Sequence, residues 1–150
     1  MAITTEDIKK LRDATGLSVM ECKKALDEAE GDQAKAVEIL KAKGAAVAAK
    51  KGERSLNAGA VVSYIHASGT IGTMVELLCE TDFVAKNPEF KAIGYDIAMH
   101  VAAMNPADVA ELLEQPFIKS PDKKVSDLIN GAVQKFGERT ELGRMIRFEI

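Results

Sequence analysis

The apolar residues of this 150-residue chain change their period at Gly59, and that change limits the possible folds more than any other feature. Upstream, apolar positions recur every three or four residues, which aligns them on one stripe only if the backbone is helical. Downstream they alternate, which aligns them on one face only if the backbone is extended. A helical head must therefore precede a body that contains a sheet. Val61, Ser63 and Ile65 oppose Val62, Tyr64 and His66, Ala67-Ser68-Gly69-Thr70 supplies a turn, and Ile71 to Glu80 returns, so an antiparallel hairpin is expected.

The head is clearly punctuated. Thr4-x-x-Asp7 resembles a capping box, Ile8 and Leu11 open an apolar face, and Gly16 is a stop. Ser18-x-x-Glu21 opens a second helix with Cys22, Leu26 and Ala29 at helical spacing, ended by Gly31. Asp32 caps a third, with Val37 and Leu40 inward and Gly44 as its expected stop. Residues 1–44 thus read as a three-helix unit. Residues 45–57, with Lys50, Lys51 and Arg54, read as a linker that is helical at first, and residues 58–150 as the body. On the second helix the face holding Cys22, Leu26 and Ala29 leaves at least one of Val19 and Met20 partly outward. They either finish the small core or form a docking surface, and Arg12 by itself reads as a solvated helix residue.

Cys79-Glu80-Thr81-Asp82-Phe83-Val84-Ala85-Lys86-Asn87 joins the second strand of the hairpin to a helix whose start is marked by Asn87 as N-cap, Pro88 and Glu89. Burying a Phe side chain is worth ~1.5–3 kcal/mol, so an aromatic beside a carboxylate in a short connection either folds back into the core or is offered to a partner. The helix places Phe90, Ile93, Ile97, Val101 and Met104 on one stripe, with His100 at its edge, and closes at Asn105-Pro106. A short helical piece over 108–113, a turn at Gln115-Pro116-Phe117 and a loop at Lys119-Ser120-Pro121-Asp122 follow. Next comes a helix from Val125 to Phe136 stopped by Gly137, and a last strand from Gly143 to Ile150. A hairpin plus one later strand, covered by helices, is an α+β arrangement with a three-stranded antiparallel sheet.

Composition narrows the function classes. A net charge of −3 and a sequence pI near 5.5 lack the basic footprint of a general nucleic-acid binder. No apolar run reaches the ~18 residues of a membrane span, and the start lacks the pattern of an export signal, so a cytoplasmic protein is expected. Cys22 and Cys79 with His66 and His100 show no close metal-ligand spacing, so no metal and no cofactor are expected. No local signature supports a Cys–His nucleophile, although a cysteine enzyme built on Cys79 remains a rival, as does a module whose head binds ubiquitin-like ligands.

Thr81-Asp82-Phe83-Val84-Ala85-Lys86-Asn87, with Leu11-Arg12-Asp13-Ala14-Thr15-Gly16 and Cys22-Lys23-Lys24-Ala25-Leu26, resembles bacterial translation elongation factor Ts. Tyr64-Ile65-His66, Ile97-Ala98-Met99-His100, Gln115-Pro116-Phe117 and Ile146-Arg147-Phe148-Glu149 agree in the same order. The resemblance implies a ubiquitin-associated-like head and a guanine-nucleotide exchange factor, not an enzyme, that binds elongation factor Tu. It implies contacts through Arg12, Val19, Met20 and Lys23 on the head and through Thr81, Asp82, Phe83, Val84 and His100 on the body, with Phe83 wedging beside the partner's magnesium and phosphate sites. Val19 stands where long unbranched side chains are frequent in the family. The helical insertion of many members, expected between Pro106 and Gln115, is missing, and there is one α/β unit where some members have two. A homodimer in which Asp82 and Phe83 come from one protomer and His100 from the other would restore the two-unit arrangement.

Overall fold

A computed structural model describes residues 2–150. Helices α1 (Thr5–Thr15), α2 (Val19–Glu28) and α3 (Gln33–Lys51) form the head. The first two start in capping boxes: the Thr4 hydroxyl accepts the Asp7 N–H while the Asp7 carboxylate accepts the Thr4 N–H, and Ser18 and Glu21 repeat the exchange. Gly16, at φ 70°, turns the chain out of α1 in the left-handed region that glycine enters at little cost. Leu11, Leu17, Cys22, Ala25, Leu26, Ala36 and Leu40 close a small aliphatic core.

The expected end of the third helix at Gly44 is corrected. Helix α3 runs through Gly44 to Lys51, and Gly44 is buried because α7 (Val125–Phe136) lies across it. A Cβ there would sit 2.8 Å from Gln134 Oε1. The glycine therefore serves close helix approach, not termination. Lys51 reinforces the contact by donating from its ammonium to the Gly137 carbonyl at 2.7 Å, and Gln134 ties α7 to α2 as well, its side-chain amide donating to Glu21 Oε1 at 3.3 Å. A cleft of about 250 Å³ remains beside it, floored by Leu17, Val37, Leu40, Ile93 and Leu128.

The body is α+β. Strands β1 (Ala58–Ile65), β2 (Ile71–Cys79) and β5 (Glu141–Glu149) form an antiparallel sheet in the order β1-β2-β5. The inner face presents Val62, Val75, Leu77 and Cys79 to α5 (Pro88–Met104) and α7, with Phe90, Ile97, Val101, Val125 and Ile129 completing the core. Phe90 meets Phe136 edge to face at 5.8 Å between ring centroids. Met104, expected on the inward stripe, is half exposed at the end of α5. The segment expected as a turn and a loop is instead a two-stranded ribbon, β3 (Pro116–Phe117) with β4 (Ser120–Lys124), reached through α6 (Val109–Glu114). Among the described residues no helix is long and apolar enough to cross a membrane.

Alternation leaves the other sheet face bare. The register sets Ile65 beside Gly72 and Phe148, and Ser63 beside Met74 and Ile146, so Ile65, Met74, Ile146 and Phe148 adjoin one another in the open with Val61 nearby. The pairing of β2 with β5 is irregular between Val75 and Leu77, where Glu76 accepts three hydrogen bonds from Arg144 at 2.7, 2.8 and 3.0 Å. These bonds hold the Glu76 carboxyl down at about 2.

Candidate functional site

The connection after β2 is a single helical turn, α4 (Asp82–Ala85). Thr81 caps it: its hydroxyl oxygen accepts the Val84 N–H at 3.5 Å. Val84 and Ala85 turn into the core, and the Asn87 side chain then accepts the Glu89 N–H at 2.8 Å to start α5. With two of its four side chains buried, the turn must direct Asp82 and Phe83 outward. Phe83 is 86% exposed, whereas Phe90, seven positions on, is fully buried. Of the two alternatives left open by the local pattern, folding back into the core is excluded. Val84, expected among the contact residues, is corrected: it is an anchor of the turn, packed under it.

His100 is corrected too. It is fully buried, because it sits on the face of α5 that meets the β3 segment. Its Nδ1 accepts the Ile118 N–H at 3.2 Å, so the ring proton lies on Nε2 and is donated to Gln115 Oε1 at 2.9 Å. The ring also stacks on Phe117 at 5.9 Å. His100 therefore holds the 115–118 segment and offers no surface to a partner.

On the head, Arg12, Val19, Met20 and Lys23 are all exposed, with Val19 at 52% and Met20 at 66%. Both apolar side chains follow Ser18 in the first turn of α2, at the open end of the helix, and neither joins the head core. Among the expected contact residues two exposed features stand out, the Asp82-Phe83 turn and the Val19-Met20 patch.

Cys79 is no nucleophile. It is buried, its thiol donates to the Thr81 carbonyl at 3.3 Å, and burial followed by the nearby Glu138 carboxylate pushes its pKa above the ordinary thiol value. Cys22 lies in the head core. Among the described residues no three His, Cys, Asp or Glu side chains cluster in a way that could hold a metal ion.

Two acids near the turn escaped the reading of the sequence. Glu138 Oε1 accepts the N–H groups of Glu80 at 3.1 Å and Thr81 at 3.0 Å, and Oε2 accepts the Thr81 hydroxyl at 2.7 Å. Glu80 Oε1 in return accepts the Arg139 N–H at 2.9 Å. Only the Gly137 helix stop hinted that the chain turns there.

The chain is 42% identical to elongation factor Ts of Carboxydothermus hydrogenoformans over 193 aligned positions, covering 99% of this chain and 89% of that protein. The chain belongs to the elongation factor Ts family. It is also similar to the elongation factors Ts of Thermodesulfovibrio yellowstonii, at 41% identity covering 100% of this chain and 97% of that protein, and of Thermotoga maritima, at 40% with the same coverage. The elongation factor TS family model matches residues 80–150, a segment that begins at the α4 turn. The alignments are longer than this chain, so these elongation factor Ts relatives carry positions with no counterpart here.

Proposed function

We propose that this protein accelerates release of GDP from elongation factor Tu in the cytoplasm during protein synthesis, with Phe83 as the displacing wedge. The observation behind this reading is the contrast within one short segment: Phe83 lies open to water on a turn whose own anchors, Val84 and Ala85, are buried. A fold that exposes so large an aromatic on a supported turn forgoes ~1.5–3 kcal/mol, which a complementary pocket on a partner recovers. The Asp82 carboxylate takes part in no hydrogen bond or ion pair among the described residues, which leaves it free to accept hydrogen bonds that orient the intrusion. Arg12, Val19, Met20 and Lys23 on the head anchor the complex.

No bond in the nucleotide is made or broken, so the effect is a coupling free energy and the protein is not an enzyme in the covalent sense. A ligand shifts an equilibrium only by its differential affinity. The factor must therefore bind the empty GTPase more tightly than the GDP form, and GDP must weaken the factor by the same ratio.

The working species is a homodimer joined through the bare sheet face. Val61, Ile65, Met74, Ile146 and Phe148 form an apolar surface with polar residues at its margin, the pattern of a buried interface. His100 contributes to the partner contact only by holding the 115–118 segment, from which Ile118 projects.

The decisive assay is release of a fluorescent GDP analogue from elongation factor Tu with and without this protein. Unchanged release at saturating factor defeats the proposal. Sedimentation of Phe148→Lys tests the dimer, which should fall apart into folded monomers; a wild-type chain that sediments as a monomer at working concentration removes that part of the reading.

A further inference from the structure

We propose that Glu138 is the positioning residue of the Phe83 turn, setting through Thr81 the pose in which Phe83 meets its partner. This rests on the reading of Phe83 as the wedge. Pairing of β1 with β2 ends at Ala58 opposite Cys79, and pairing of β2 with β5 ends at Leu78 opposite Glu141. The N–H groups of Glu80 and Thr81 therefore lie past the end of the ladder and need acceptors from elsewhere. Glu138 supplies them from 58 and 57 positions away. One carboxylate oxygen takes both N–H groups and the other takes the Thr81 hydroxyl, so three donors converge on a group that only accepts.

The third bond transmits the effect to the turn. Because the Thr81 hydroxyl proton is committed to Glu138 Oε2, its oxygen lone pairs face the Val84 N–H and cap α4. A four-residue helix has no length of its own to fix its direction. Its start is set by this capped threonine and its end by the buried Val84 and Ala85. Asp82 and Phe83 lie between those two supports.

Glu138 is itself constrained. Gly137, at φ 72°, turns the chain sharply after α7, and the buried Thr140 hydroxyl donates to the Glu138 carbonyl at 3.2 Å. The Glu80 carboxylate accepts the Arg139 N–H, so segments 80–81 and 138–139 are joined in both directions by side chains acting where strand pairing stops. Lys51 at the end of α3 donates to the Gly137 carbonyl, and Arg139 donates to the Arg54 carbonyl. The end of the head's last helix thus bears on the same corner that orients the wedge.

The test compares Glu138→Ala, Glu138→Gln, Phe83→Ala and the Phe83→Ala/Glu138→Ala double variant in release of a fluorescent GDP analogue from elongation factor Tu, titrated in factor. Losing the charged hydrogen bonds should lower the maximal release rate with Glu138→Ala by about tenfold or more, while the half-saturating concentration, governed by the head, moves less than about threefold. Glu138→Gln retains an oxygen for the two N–H groups but sets an amide NH2, which cannot accept, against the Thr81 hydroxyl, so its maximal rate should fall between those of wild type and Glu138→Ala. The double variant should be no slower than Phe83→Ala alone, because a positioning residue has nothing left to position. A wild-type maximal rate with Glu138→Ala overturns the proposal, as does a double variant that loses both effects in full. If Glu138→Ala does not fold, Thr81→Val, which lacks the hydroxyl, must reproduce the loss of maximal rate, and a normal rate there overturns it equally. Should Phe83→Ala itself release GDP at the wild-type rate, it is the wedge reading that fails, and the two failures are told apart.

Discussion

Replacing Phe83 by alanine separates presentation from packing. Only about a seventh of the Phe83 surface is covered within the chain, so the truncation removes roughly a seventh of a ~1.5–3 kcal/mol burial, or about 0.2–0.4 kcal/mol. For a chain of this size that is a fall in Tm of about 1 °C. The remaining six-sevenths is available to a partner, where its loss corresponds to about 1.3–2.6 kcal/mol, a roughly 10- to 80-fold fall in exchange efficiency. Phe90→Ala is the matched control. Phe90 is fully buried against Phe136 and the sheet, and its truncation should cost ~3–5 kcal/mol and lower Tm by on the order of 10 °C. Thermal melts followed by circular dichroism, with GDP-analogue release on the same samples, read both quantities. A Phe83→Ala protein that melts several degrees early would show that the ring packs at home, and one that exchanges at the wild-type rate would show that it is not the wedge.

Other perturbations probe the supports. Gly44→Ala should be nearly neutral in urea melts, since the displaced Gln134 side chain can swing aside and alanine gains ~1 kcal/mol of helix propensity, but Gly44→Leu should overpack the α3–α7 contact and cost ~1–3 kcal/mol; a tolerated leucine refutes the close approach. His100→Phe fills a similar volume but strands Gln115 and the Ile118 N–H, at ~1–3 kcal/mol for each group, and hydrogen exchange at the Ile118 amide should speed up; unchanged protection there would refute the bond. Glu76 has a folded pKa of about 2 against an ordinary 4.5, held down first by the Arg144 side chain, so its contribution to stability is full above about pH 4.5 and lost as pH falls toward 2. Glu76→Gln should therefore be less stable than wild type at neutral pH, with the gap closing on acidification; parallel melting curves from pH 7 to 3 would contradict this.

Much of this protein is local and could be read from residue order. Capping boxes at Thr4 and Ser18, the Asn87-Pro88 helix start and the Gly16 and Gly137 stops depend on neighbours within four positions, so side-chain chemistry alone decides them. The period change at Gly59 is equally local, and with the family motifs it led to the α+β body and to the Asp82-Phe83 turn. Tertiary structure decided whatever depended on a distant partner. Gly44 has the residue type of a stop, yet α7 lies against it and makes it a contact. His100 lies at the edge of an apolar stripe, and only the fold brings Gln115 and Ile118 onto its two nitrogens and takes it out of reach of a partner. Val84 and Phe83 are adjacent apolar residues that no periodicity separates in a four-residue turn; the core beneath accepts one and leaves the other in water. Glu138 follows a helix stop like many surface acids, and its role exists only because the sheet ends where two N–H groups need an acceptor. Hydrogen bonds across more than fifty residues leave no periodic trace, since each group satisfies its partner through space and not through spacing.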